Sequence, residues 1–218
     1  MTNTNTSSKT RKLVTLSLLT AITFILGFTP IGYIHITPTF AITLLHIPVI
    51  IGVVAEGFGA GLVLALIFGL TSILQIPAGL SPLGAYLYNL GPLRTIIIIF
   101  IPRLIIPVTA YLTHSLLQKS RKGVVNKSTY VVTALVGSLT NTFFFLGFMY
   151  MLFLPEIEQV ALAFEATTDT LLKVLGAIVI SNGIPEAIAA MIIVPLVCVP
   201  LAITSNKKRK GTVDDSDI

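Results

Sequence analysis

Six apolar runs, at 13–29, 39–55, 60–76, 95–117, 129–154 and 171–203, make up most of this chain. Each approaches or exceeds the roughly 20 apolar residues that a helix needs to cross a bilayer. Charged residues make up only 11% of the 218 positions and hydrophobic ones 54%, whereas a soluble domain carries roughly 25% charged residues. So few charges cannot cover a water-facing surface. Soluble, disordered and fibrous proteins are excluded, and the expectation is an all-α membrane protein of six transmembrane helices in one unit.

The first eight residues are polar and unpatterned and predict a disordered tail. Lys9, Arg11 and Lys12 then precede the first apolar run. No small-x-small cleavage site follows, so this run reads as a retained helix rather than a leader. Glu56-Gly57-Phe58-Gly59 predicts a tight turn between the second and third runs. The last run is longer than a span needs and contains Pro185, Pro195 and Pro200, which predicts a tilt or a kink. The expected organisation is a cytoplasmic tail at 1–12, a six-helix membrane domain at 13–203 and a second cytoplasmic tail at 204–218.

Six spans put both termini on one side. If that side is the cytoplasm, it holds Lys9, Arg11, Lys12, Lys119, Arg121, Lys122, Lys127, Lys207, Lys208, Arg209 and Lys210, eleven of the 14 Lys and Arg. The other side holds Glu156, Glu158, Glu165 and Asp169. The positive-inside rule then predicts N-in, C-in. The run at Lys207 to Lys210 reads as an anchor at the anionic leaflet, not as a nucleic-acid site. Three connections face outward, at 28–42, 76–94 and 155–170. The first two are rich in Pro, Gly and Tyr, and together they suggest a lid over a site that opens outward.

Several chemistries have no residues to carry them. There is no GxxxxGK[ST] loop, so the chain has no P-loop to power pumping by itself. No HExxH, paired-carboxylate or Ser/His constellation supports an intramembrane hydrolase. His35, His46 and His114 lack ligand spacing, and Cys198 is the single cysteine. No enzyme activity, metal or cofactor is expected.

What remains is a set of polar groups inside apolar runs, each expensive to hold there and therefore a site candidate. Arg94 falls at the outer mouth of the fourth span and Arg103 nearer its middle. His46 falls in the outer half of the second span, and Asn141 near the middle of the fifth. Asn182 and Glu186 fall towards the middle of the sixth and, four residues apart, share one face. Gly183 and Pro185 loosen the backbone there. A brace between Glu186 and Arg103 is the structural alternative. Tyr86, Tyr88 and Asn89 belong to the second outward connection. On the first helix, Ser17-x-x-x-Ala21 and Thr23-x-x-x-Gly27 are spaced for close approach of another helix.

Leu44-Leu45-His46-Ile47-Pro48-Val49-Ile50-Ile51-Gly52, Glu56-Gly57-Phe58-Gly59-Ala60-Gly61, Phe68-Gly69-Leu70-Thr71-Ser72 and Pro102-Arg103 resemble the substrate-binding S component of an energy-coupling factor (ECF) vitamin transporter. The resemblance runs over about 10–205 and is to the pantothenate-type and hydroxymethylpyrimidine-type branch. It implies a chain that binds one vitamin from outside. It also implies partners: a transmembrane coupling subunit and two cytoplasmic ATPases. In that family a small-residue pattern on the first helix meets the coupling subunit, and Ser17 and Ala21 stand in the matching place.

A guanidinium donates in a bidentate fork suited to a carboxylate. Pantothenate would use Arg94 first or Arg103 second, with Asn141, Asn182 and Tyr86 or Tyr88 for its hydroxyl and amide groups. Hydroxymethylpyrimidine or pyridoxine would lean instead on stacking and on Asn and Glu hydrogen bonds. The more distant alternatives are a non-transport scaffold subunit and an intramembrane enzyme.

Overall fold

A computed structural model describes residues 3–35, 41–120, 126–156, 176 and 179–214. It is almost wholly helical. The elements are α1 (Asn3–Phe28), a 3-10 turn (Pro30–Gly32), β1 (Tyr33–His35), β2 (Ala41–Thr43), α2 (His46–Glu56), α3 (Phe58–Leu74), α4 (Pro82–Leu90), α5 (Pro92–Ser120), α6 (Lys127–Leu152), a 3-10 turn (Leu154–Glu156), a π-helical turn (Val179–Gly183) and α7 (Ile184–Asp214).

Four helical stretches are long and apolar enough to cross a membrane: Lys9–Phe28, Pro92–Lys119, Lys127–Leu152 and Ile184–Thr204. The other two expected spans are shorter. At a rise of about 1.5 Å per residue, α2 is only about 16 Å long and α3 about 25 Å, against a hydrocarbon core of roughly 30 Å. The apolar run at 39–55 does not become one helix. Its first described residues, Ala41–Thr43, pair antiparallel with Tyr33–His35, and the helix starts only at His46.

The turn that ends α2 is the expected one. Gly57 has φ +92°, a region that disfavours any side chain, and its amide donates to the Val53 carbonyl at 2.9 Å. The polar segment before Lys12 is helical from Asn3 rather than disordered. No Gly or Pro interrupts it until Gly27, so the helix seeded by the apolar run extends outward through it. Pro102 and Pro107 lie inside α5, and Pro195 and Pro200 inside α7. Pro185 sits in the first turn of α7, directly after the π-helical turn.

α2 is the hub. It packs on α1, α3, α5, α6 and α7, and every residue from His46 to Val53 is buried. A helix enclosed on all sides has no use for a polar face, which accounts for the unbroken apolar sequence. The main core joins Leu45, Val49 and Ile50 to Leu64, Phe68, Ile106, Ala134, Ala190 and Val194. A second core, of Leu87, Ile98, Ile99, Leu146, Met149 and Phe153, lies where α4 meets α5 and α6. Outward, Leu13, Leu18, Ile25, Phe143, Ile192 and Leu196 are exposed, as lipid-facing residues would be.

The connection at 76–94 is not an open loop. Ser81 caps α4, its hydroxyl accepting from the Gly84 amide at 3.2 Å, with Pro82 in the first turn. Leu87 anchors that helix in the second core.

Candidate functional site

The interior polar groups come from five elements that meet in the half of the bundle bearing the β-ribbon. His46 opens α2 and is 0% exposed. Its ring lies beside the Thr43 backbone, yet neither nitrogen makes a well-directed hydrogen bond among the described residues. On α6, Ser138 and Asn141 lie one turn apart, and Asn141 is 8% exposed. Gly137, next to Ser138, packs directly on α2: a Cβ there would meet Ile50 Cδ1 at 2.8 Å. The π-helical turn carries Asn182. Its neighbour Gly183 lies so close to α6 that a Cβ there would meet Thr142 Cγ2 at 3.0 Å. Such widened turns recur at functional sites.

Glu186, on the first turn of α7, is 5% exposed. Its Oε1 accepts from the Thr43 amide at 2.7 Å. Arg103 of α5 is close enough for its charge to act on this carboxylate. The guanidinium carbon stands 4.9 Å from the Phe68 ring centroid and 5.7 Å from that of Phe145. Phe145 is one turn on from Asn141.

The atoms without partners define the chemistry. Ser138 Oγ, Asn141 Oδ1, Asn182 Oδ1 and both ring nitrogens of His46 are buried without a hydrogen-bond partner among the described residues. Each such group costs about 1–3 kcal/mol if left dry. Several of them, held on packed elements near an Arg, are groups that a polar guest could satisfy.

Arg94 has a different occupation. Its Nη2 donates to Glu156 Oε1 at 2.9 Å and to the Leu90 carbonyl at 3.1 Å. Its Nη1 donates to Glu156 Oε2 at 3.2 Å and to the Leu152 carbonyl at 2.9 Å. The guanidinium also lies 4.8 Å over the Phe153 ring. Nine residues separate it from Arg103, about 13 Å along the helix. The structure thus brings Arg103, and not Arg94, to the polar cluster.

The α4 residues divide. Tyr86 packs against the second core, whereas Tyr88 and Asn89 are exposed. His114 lies away from the cluster, stacked on Tyr130 at 5.6 Å between α5 and α6. His35 lies on β1. Glu158, Glu165 and Asp169 lie outside the described residues.

A family model for the substrate-specific component of ECF transporters matches residues 11–198. This chain belongs to that family. It is a transport protein of the membrane and not of an enzyme class. It is also similar to the pantothenic acid transporter PanT of Lactococcus lactis subsp. cremoris (strain MG1363), at 28% identity over 162 residues, covering 69% of this chain and 72% of the relative.

For a family whose members work within a larger complex, α1 is the notable surface. Ser17 and Ala21 are both exposed on it, next to Leu13, Leu18 and Ile25. Sequence reasoning missed three participants. Thr43 meets Glu186 through its backbone amide, which no side-chain motif reveals, and through its side chain as well. Ser138 looked like any small residue of a packed helix. Glu156 was counted among the outside charges and not as Arg94's partner, although its sign and its place at the end of α6 were the available signals.

Proposed function

We propose that this chain is the vitamin-capturing subunit of an ECF importer and that its substrate is pantothenate. In this reading it crosses the membrane six times, by α1, α2, α3, α5, α6 and α7, with α4 lying at the outer surface and both termini in the cytoplasm. The basic residues near 119–127 and 207–210 support that orientation by the positive-inside rule. Ligand enters from the side of the β-ribbon. A transmembrane coupling subunit and two ATPases supply the energy, since the chain has no P-loop of its own.

The observation that carries the substrate is the pairing of a cation with unsatisfied polar atoms. Arg103, held between Phe68 and Phe145, offers a bidentate partner for a carboxylate. Asn141, Asn182, Ser138 and His46 offer acceptors for hydroxyl and amide donors. Pantothenate is a small carboxylate bearing both. The likeness to PanT points the same way.

The test is calorimetry on the full chain in nanodiscs with pantothenate, hydroxymethylpyrimidine and pyridoxine. Tight binding of pantothenate alone is expected. Binding of a neutral pyrimidine or of pyridoxine, with pantothenate ignored, would overturn the substrate and leave the family intact. Uptake into liposomes by the lone chain with ATP on both sides should be non-concentrative; accumulation there would overturn the need for partner subunits.

A further inference from the structure

Two side-chain bonds flank the β-ribbon, and one of them reaches the ribbon itself. Before the ribbon, Gln75 Nε2, just after α3, donates to the Gly27 carbonyl near the end of α1, at 2.6 Å. At its exit, Glu186 of α7 accepts from the Thr43 amide at 2.7 Å, across 143 positions of sequence. Thr43 pairs with Tyr33 in the ribbon register, and the next amide, Leu44 N, donates to the Gly32 carbonyl at 3.1 Å. Three residues beyond Thr43 comes His46, a member of the polar cluster.

The two ties differ in kind. The Gln75 bond is neutral and joins neighbouring helix ends. The Glu186 bond commits a buried carboxylate, in the field of Arg103, to a backbone amide. A charged acceptor makes a hydrogen bond roughly twice as strong as a neutral one. A carboxylate used this way has one oxygen fewer for a guest.

We propose that Glu186 is a positioning residue. It acts on the ligand through the ribbon, by holding β2 and hence His46 over the cluster, and not as the ligand's own charged partner. This rests on the cluster being the ligand site. The role predicts that the acceptor oxygen matters more than the charge. Gln at this position keeps an oxygen for the Thr43 amide. Ala has none, and Asp, shorter by one methylene, retracts the oxygen while keeping the charge.

The experiment has a ligand-free arm and a ligand arm, both on the full chain in nanodiscs. In hydrogen exchange without ligand, Glu186→Ala and Glu186→Asp should speed exchange of the peptide containing Thr43 and Leu44, by about tenfold or more, while Glu186→Gln stays near wild type. In stopped-flow dissociation of pantothenate, Ala and Asp should release faster and Gln within about threefold of wild type. If Gln releases as fast as Ala while Asp is unaffected, the charge is what the ligand feels and the proposal is overturned. Unchanged exchange at Thr43 in both Ala and Asp overturns it as well. Should wild type bind no pantothenate, the substrate reading fails, and the exchange arm still judges the tether. Should Ala not fold, Asp carries both arms.

Discussion

Arg94 and Glu156 clasp the start of α5 to the end of α6 through two charge-assisted bonds, of 2.9 and 3.2 Å, with the guanidinium lying over Phe153. The same guanidinium reaches the carbonyls of Leu90 and Leu152, so α4 is drawn into the clasp. Nothing in this geometry needs a ligand to complete it.

The clasp should therefore contribute stability and little affinity. Arg94→Gln leaves Glu156 and two carbonyls short of a partner. The pair is about a third exposed on the Arg side, so solvent screening lowers the cost to about 1–2 kcal/mol. Thermal melting should fall by roughly 2–6 °C. Calorimetry should find the pantothenate affinity within about threefold of wild type. A steep affinity loss with unchanged melting would return Arg94 to the ligand site.

Arg103→Gln should weaken binding steeply, and it should also cost stability, because it takes away the positive charge beside buried Glu186. A carboxylate buried without its cation loses about 2–5 kcal/mol, which is roughly thirty-fold to several thousand-fold in affinity. Arg103→Lys should recover only part, because an ammonium lacks the planar fork and stacks less well between Phe68 and Phe145. Calorimetry on both variants decides. Equal affinities in wild type and Arg103→Gln would remove Arg103 from the ligand site.

How much of this could be read beforehand depends on whether the partners are local. The Gly57 turn and four of the apolar helices follow from spacing along a few residues, and the structure reproduces them. Arg103 was legible as an expensive charge in an apolar helix. The Arg94 clasp was not, because Glu156 is 62 positions away and only the packing of α5 on α6 brings them together. Nor was α4. Its flanking Pro and Gly residues spell a loop, yet the Ser81 cap and the burial of Leu87 against Ile98 and Met149 hold a helix. The ribbon was hidden for a third reason. Its tie to α7 uses a main-chain amide, and every residue offers one of those.

The unpartnered atoms predict a trade between stability and binding. Asn141→Leu replaces a buried amide, whose oxygen has no partner among the described residues, by an apolar group of similar volume. Without ligand the variant should be as stable as wild type or more so, by up to about 1–3 kcal/mol. Its pantothenate affinity should fall at least tenfold, since one acceptor is gone. Melting curves with and without saturating pantothenate read both effects at once. A variant destabilised without ligand would mean that Asn141 braces the fold instead.

The outer face of α1 separates binding from assembly. Ser17 and Ala21 are exposed in the isolated chain, and so is Leu196 on α7, at 72%. Association of helices within lipid relies on close van der Waals packing, which small residues allow and an indole blocks. Ala21→Trp should thus leave pantothenate affinity and melting temperature unchanged, since Ala21 is exposed among the described residues. If α1 is the docking face, the same variant should fail to co-purify with the coupling subunit and should not support uptake. Leu196→Trp is the control, equally bulky and also exposed, on another helix, and should assemble and transport as wild type does. Assembly of both variants would remove α1 from the interface. Loss of assembly in Leu196→Trp alone would move the interface to α7.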